Sequence, residues 1–220
     1  MVALGAIRFS MVKTEPKKQI DFRYQEALSF EGDTGPYVQY AHARAHSILR
    51  KAGEWGAPDL SQATPYERAL ALDLLDFEEA VLEAAEERTP HVLAQYLLDL
   101  AASWNAYYNA RENGQPATPV LTAPEGLREL RLSLVQSLQR TLATGLDLLV
   151  QATVLDSVRR LKAQGRFAMV LVSHDLGVVR AVSDRILVLL EGRVVEEGLA
   201  DQVLEDPQHP YTQDLVQARL

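Results

Sequence analysis

Hydrophobic residues recur at steps of three and four along most of the first 149 residues, which is the spacing of helices that bury one face. The predicted helices run from Tyr37 to Gly53, from Pro65 to about Arg88, from Pro90 to near Gly114, and along a leucine stripe from Leu127 to Leu146. Four amphipathic helices joined by short connections predict an antiparallel helical bundle.

Two of these helices have start signals in the sequence. Thr64-Pro65-Tyr66-Glu67 combines an N-cap threonine, a proline in the first turn and a glutamate three residues after the cap. Thr122-Ala123-Pro124-Glu125 has a similar order, so it predicts the cap of the fourth helix.

The pattern differs at both ends of the bundle. The first 33 residues predict a helix at Ala3–Met11, an extended piece at Gln19–Phe22 and a short helix near Gln25–Ser29. After a boundary at 146–150 we predict a helix at Val150–Gln164, a strand at Arg166–Ser173, a helix to about Ser183, a strand at Arg185–Leu190, a turn at Glu191-Gly192 and a strand at Arg193–Glu196. The predicted fold is therefore mainly α, a helical bundle followed by a small incomplete α/β segment.

Composition excludes several classes of protein. The 220 residues include no cysteine, and no segment approaches the roughly 20 apolar residues of a membrane span. We therefore expect a cytoplasmic protein without membrane insertion. The net charge of −8 argues against broad, nonspecific binding of nucleic acid, so a nucleic-acid site would have to be a local patch.

The helix from Tyr37 to Gly53 carries the most informative chemistry. Tyr37, Tyr40, Arg44 and Lys51 lie on one side of it, at steps of three, four and seven residues. Tyrosine and arginine side chains can stack on the unpaired bases of a folded RNA. The alternative is a helix that faces the core, with tyrosines that hydrogen-bond internally.

The same stretch resembles a known family. Residues 35–44, read as Gly-Pro-Tyr-Val-Gln-Tyr-Ala-His-Ala-Arg, are similar to the helix that opens the anticodon-binding domain of class I arginyl-tRNA synthetases. Residues 5–9 and 27–32 fit the same family, and the resemblance extends to about Leu149. It implies a leader at 1–33 from the end of the catalytic region and an anticodon-binding helical domain at 34–149.

This resemblance also implies which residues contact RNA. We expect Tyr108 to stack on a base, and Trp104 to belong to the core. The expected contacts to arginine tRNA are Tyr37, Tyr40, Arg44, Asn105, Tyr107, Tyr108 and Arg111.

The last 70 residues or so resemble a second family. The segments 150–156, 171–176, 184–186, 192–198 and 209–212 are similar to the C-terminal third of ABC-transporter ATPases of the oligopeptide and dipeptide importers. The resemblance implies that the chain is a fusion, with a partial ATPase-like segment at 150–220. It places His174 at the switch histidine that senses the terminal phosphate, here a remnant without a nucleotide.

No catalytic motif of either family occurs in the chain. The phosphate-binding pattern G-x-x-x-x-G-K-[ST] is absent, and the five histidines form no recognisable catalytic set or metal-ligand cluster. We therefore expect no catalytic residue, no metal and no cofactor.

Three interpretations of the function remain open. The first is recognition of arginine tRNA without charging by this chain alone, and the second is a truncated ATP-binding subunit of a peptide importer. The third is a nonfunctional product of gene rearrangement. Because the predicted strands of the tail lack the rest of a sheet, we also expect self-association through residues 150–220.

Overall fold

The computed structural model describes residues 2–14, 23–87, 89–165, 168–173 and 175–218. The chain divides into two compact units, Met1–Ala152 and Thr153–Leu220. No helix of the described ranges is both long and apolar enough to cross a bilayer.

The first unit is a helical bundle, as predicted. Its helices are α1 (Val2–Val12), α2 (Tyr24–Ala27), α3 (Gly35–Ala52), α4 (Pro65–Leu75), α5 (Phe77–Glu86), α6 (Pro90–Asn109) and α7 (Leu127–Ala163), which continues into the second unit. The predicted extended piece at Gln19–Phe22 lies outside the described residues.

The predicted capping box at Thr64 is confirmed. The Thr64 side chain caps the start of α4, and the Glu67 carboxylate accepts a hydrogen bond from the Thr64 backbone N–H at 3.0 Å. The predicted cap at Thr122 is wrong, because α7 starts only at Leu127. Gly126, at φ 83°, precedes that start, and its N–H donates to the Glu129 carboxylate at 2.6 Å.

Two helices are shorter than the sequence pattern predicts. The predicted helix from Pro65 to about Arg88 is interrupted at Asp76, where ψ is −5° and the chain turns from α4 into α5. Helix α6 ends at Asn109 because Asn113 and Gly114 adopt positive φ values of 50° and 79°. They join β1 (Arg111–Glu112) to the antiparallel β2 (Gln115–Pro116), a pairing typical of an Asn-Gly hairpin turn.

The core of the first unit lies between α3, α6 and α7. Small side chains allow the helices to approach closely, since Ala41 and Ala45 of α3 are fully buried. Gly145 of α7 has the same effect, because a Cβ atom there would lie 2.6 Å from a methyl group of Leu97. Large buried side chains fill the remaining space: Val38, Leu97, Leu100, Trp104, Leu132, Val135, Leu138 and Leu142.

Helix α7 is continuous through residues 146–150, so its backbone shows no break at the predicted boundary. The division into a leader, an anticodon-binding domain and an ATPase-like segment therefore stays a prediction.

In its described residues the second unit contains one antiparallel hairpin and short helices. After the end of α7 come α8 (Leu176–Val182), β3 (Arg185–Leu190), β4 (Arg193–Leu199), α9 (Ala200–Glu205) and α10 (Pro210–Gln217). The predicted turn is confirmed, with Glu191 and Gly192 at φ values of 49° and 77°. Its small core comprises Ile186, Ala200 and Val203.

The predicted strand at Arg166–Ser173 is wrong over Ala168–Ser173, which has no regular secondary structure. Arg166 and Phe167 lie outside the described residues. A strand needs a neighbour to complete its backbone hydrogen bonds, and in the described part of this unit only β3 and β4 pair with each other.

Candidate nucleic-acid interface

Helix α3 has a well-defined start, and its small buried side chains show which face packs against the core. The Tyr37 backbone N–H donates to the Thr34 hydroxyl at 3.2 Å, and Pro36 lies in the first turn. Ala41 and Ala45 face the core, and Tyr40 and Arg44, each one position earlier, lie about 100° around the helix from them, at the edge of the buried face.

Arg44 lies between two tyrosine rings. Its guanidinium carbon is 4.6 Å from the centre of the Tyr40 ring and 4.8 Å from the centre of the Tyr108 ring, both typical cation–π distances. Its Nη2 also donates to the Tyr40 hydroxyl at 2.6 Å. Tyr40 is 44% exposed and Tyr108 is 41% exposed. We call these three residues the Tyr–Arg–Tyr stack.

Two further residues hold the stack in place. Arg44 Nη1 donates to Asn105 Oδ1 at 3.3 Å, which links α3 to α6. Phe30, itself largely exposed, meets the Tyr40 ring edge-on with 6.3 Å between the ring centres. The resulting surface combines exposed aromatic rings with a positive charge.

Trp104 supports the stack from beneath and is fully buried, which confirms its assignment to the core. Its ring centre is 5.6 Å from that of Tyr108 and 5.8 Å from that of Tyr107. The indole N–H has no hydrogen-bond acceptor among the described residues.

Tyr107 lies in the interior, although the sequence analysis expects it to contact tRNA. It is 5% exposed, and its hydroxyl donates to Glu67 Oε1 at 3.0 Å. Burial, and then the negative charge of Glu67, raise the pKa of the Tyr107 hydroxyl above its usual value. The side chain is therefore a neutral donor within the fold.

Glu67 and Arg131 form a buried ion pair next to Tyr107. They are 1% and 3% exposed, and Arg131 Nε donates to Glu67 Oε1 at 2.8 Å. Arg131 also donates to the Pro119 carbonyl at 2.8 Å and to the Ala117 carbonyl at 3.3 Å. The pair thus connects α4 and α7 to the loop between β2 and α7.

The environment of Glu67 favours its charged form. Burial by itself would raise the pKa of this carboxyl group. The hydrogen bonds from Thr64 and Tyr107, together with the charge of Arg131, lower the pKa by more than burial raises it. The net result is a pKa below the usual value.

The fold also shifts the pKa of His42 on α3. The Gln139 side-chain amide lies 2.9 Å from His42 Nε2, so a neutral ring accepts this hydrogen bond. Burial, then the nearby His46, lower the pKa of His42, and the negative charge of Asp147 acts in the opposite direction. The His42 and His46 rings stack with their centres 6.4 Å apart.

The other expected contacts lie outside the stack. Tyr37 is half-buried and packs against the core. Arg111 is exposed on β1, with its guanidinium 3.5 Å from the Gly114 carbonyl.

His174 lies outside the described residues, and within the described ranges no three ligand-type side chains form a metal site.

Sequence reasoning missed Phe30 and the Glu67–Arg131 pair. Phe30 belongs to the segment 27–32 that resembles the synthetases, which was a usable signal. The capping box identified Glu67, but nothing local connects it to Arg131, 64 positions further along the chain.

These features define a class of protein: a helical bundle domain with an exposed surface of aromatic rings and arginine. Residues 38–154 match the family described as the DALR anticodon binding domain. The chain belongs to this family.

Curated relatives and solved structures agree with this assignment. Residues of this chain are 99% identical over 149 positions to arginine–tRNA ligase of Thermus thermophilus, a match that covers 68% of this chain and 25% of the relative. Arginine–tRNA ligase of Deinococcus radiodurans is 47% identical over 155 positions, covering 67% of this chain and 26% of that protein. The crystal structure of arginyl-tRNA synthetase from Plasmodium falciparum matches with a TM-score of 0.55 and 25% identity, over 66% of this chain and 25% of that one. The chain thus spans about a quarter of the length of these relatives.

Proposed function

We propose that this chain recognises arginine tRNA through its anticodon-binding domain and does not charge the tRNA by itself. The Tyr–Arg–Tyr stack is the observation that carries the proposal. It presents two exposed rings and a positive charge on a domain whose family is named for anticodon binding. An unpaired base of the anticodon would stack on Tyr108.

The positions of the neighbouring residues refine the set of RNA contacts. Tyr40, Arg44, Asn105 and Tyr108 form the proposed contact surface, with Phe30 at its edge. Arg111 is exposed and could reach a flanking nucleotide. Tyr107 is buried and Tyr37 is half-buried, so we assign both a supporting role.

The experiment compares tRNA binding by the full chain and two variants at Tyr108. Stacking of a base on an aromatic ring is worth roughly 1–3 kcal/mol, so Tyr108→Ala should weaken binding of arginine tRNA about ten-fold or more. Tyr108→Phe keeps the ring and should bind like the wild type. The wild type should also prefer arginine tRNA to an unrelated tRNA in a filter-binding assay.

Equal binding of the two tRNAs would contradict the proposal. So would unchanged binding by Tyr108→Ala, provided that circular dichroism shows an intact helical fold.

We also propose that residues 150–220 derive from the C-terminal part of a peptide-importer ATPase, so that the chain is a fusion. The support is the series of ATPase-like segments in the sequence, together with a hairpin at the expected strands. The junction lies within 146–150. Sequencing the DNA across these codons and their neighbours tests the proposal, since one uninterrupted synthetase gene would contradict it.

A further inference from the structure

Helix α3 carries positive charge on a chain whose net charge is −8. Its 18 residues include Arg44, Arg50 and Lys51 and no acidic side chain. Helix α5 has the opposite composition, with four glutamates and no basic residue among its 10 positions. The helix that contributes Tyr40 and Arg44 to the stack is therefore locally cationic.

Arg50 and Lys51 are not committed to contacts within the fold. Both are exposed, and among the described residues neither side chain forms a hydrogen bond or lies within ion-pair distance of a carboxylate. Their side chains do not cap the C-terminal carbonyls of α3. The Ala52 carbonyl instead accepts a hydrogen bond from Arg128 Nη2 at 2.9 Å.

Lys51 lies on the same side of α3 as the stack. Tyr40, Arg44, Ser47 and Lys51 follow one another at steps of four, three and four, so they form a line along the helix. At 1.5 Å per residue this line is about 16 Å long. Arg50 is the neighbouring exposed residue at the same end.

A second explanation exists for basic residues at this end. Cations near the C-terminus of a helix interact favourably with its dipole, which would stabilise the fold without any ligand. That explanation does not account for the absence of acidic residues along the whole of α3. It also predicts an effect on stability and none on RNA binding.

We propose that Arg50 and Lys51 bind the phosphodiester backbone of the RNA whose unpaired base contacts the Tyr–Arg–Tyr stack. The inference rests on the proposed function, which supplies the RNA. The backbone then runs along α3 from the stack toward Lys51, and the two cations contribute affinity without reading sequence.

The test measures how salt affects the binding of an arginine tRNA transcript to the full chain. Each phosphate contact contributes roughly 0.7–0.9 to the slope of log K against log salt concentration. The double variant R50Q/K51Q should therefore reduce the steepness by about 1.5 and weaken binding at low salt by roughly 10-fold or more. Its preference for arginine tRNA over an unrelated tRNA should equal that of the wild type.

Two further variants serve as matched controls. R68Q/R193Q makes the same change in net charge at exposed residues outside α3, and should keep the wild-type slope. R50K/K51R keeps both charges and should also keep that slope. If R50Q/K51Q does not fold, the single variant K51Q tests the proposal, since it should lower the steepness by roughly 0.7–0.9.

Each outcome decides the proposal. An unchanged salt slope in R50Q/K51Q overturns it. So does a slope that falls as much in R68Q/R193Q as in R50Q/K51Q, or a reduced slope in R50K/K51R. A wild type that binds both tRNAs equally overturns the proposed function, while a reduced slope in R50Q/K51Q would still support a backbone contact. A wild type without measurable RNA binding overturns both.

Discussion

Arg131 and Glu67 form a buried charge pair in the interior of the bundle. Removing one partner of such a pair leaves an unpaired charge in the interior, which typically costs about 3–5 kcal/mol. Glu67→Gln or Arg131→Met should therefore lower the free energy of unfolding by that amount. Both tryptophans, Trp55 and Trp104, belong to the first unit, so their fluorescence in a urea titration reports its unfolding.

An exposed ion pair in the same unit provides the control. Glu26 and Arg23 are 69% and 63% exposed, and a pair of this kind contributes roughly 0–1 kcal/mol. If Glu67→Gln destabilised the unit no more than Glu26→Gln, the buried pair would not have the structural role described.

The pKa of His42 makes stability depend on pH. Its pKa is lowered in the fold, mainly by burial, so the stability that it contributes is present above the unfolded value of about 6.5 and is lost as the pH falls. A protonated His42 would direct an N–H toward the donating amide of Gln139.

We therefore expect the wild type to lose more stability than His42→Gln between pH 7.5 and pH 5.5. The measurement is the urea midpoint at each pH, and the difference between the two proteins cancels the titration of the other histidines. Parallel curves for the two proteins would show that His42 does not titrate differently on folding.

The hairpin of β3 and β4 has one buried face and one solvent-exposed face. Ile186 contacts α9 and is buried, whereas Leu187, Leu189, Val194 and Leu199 are each more than half exposed. Exposed apolar strands are sites of association. We propose that the chain self-associates through this face, in line with the expectation for residues 150–220.

Leu189→Lys should therefore shift the sedimentation coefficient of the full chain toward the monomer at a concentration where the wild type associates. Leu82→Lys is a matched control, since Leu82 is equally exposed (55%) on α5 of the first unit. A strictly monomeric wild type, or equal effects of the two variants, would rule out this face as the contact.

The two units differ in how much apolar surface each one buries. Among the residues that the structure describes, the core of the first contains 21 buried hydrophobic residues, whereas that of the second contains three. A small core opens more readily, because less hydrophobic free energy opposes the gain in chain entropy.

Backbone amides of β3 and β4 should consequently exchange with solvent faster than those of α6 in hydrogen-exchange mass spectrometry. A monomeric sample at low concentration avoids protection by self-association. Slow exchange across residues 185–199, comparable to that of residues 93–107, would contradict the expectation.

The sequence determined the helices of the first unit because their apolar stripes and caps are local properties. Thr64 and Glu67 predict a helix start from four consecutive residues, and the structure confirms it. The Asn113-Gly114 turn was equally readable, but the helical period of the surrounding residues concealed it. The sequence analysis named Tyr40, Arg44, Asn105 and Tyr108, and the structure brings these four residues together. Their contact with RNA stays a prediction.

Only the tertiary structure decided which of the expected contacts face solvent. Tyr107 and Tyr108 are neighbours in sequence, yet one reaches Glu67 in the interior and the other flanks Arg44 at the surface. Adjacent positions on a helix point about 100° apart, and which of the two is buried depends on the elements packed around α6. For the same reason the pairing of Glu67 with Arg131 could not be predicted, because it joins residues that only the folded bundle brings together.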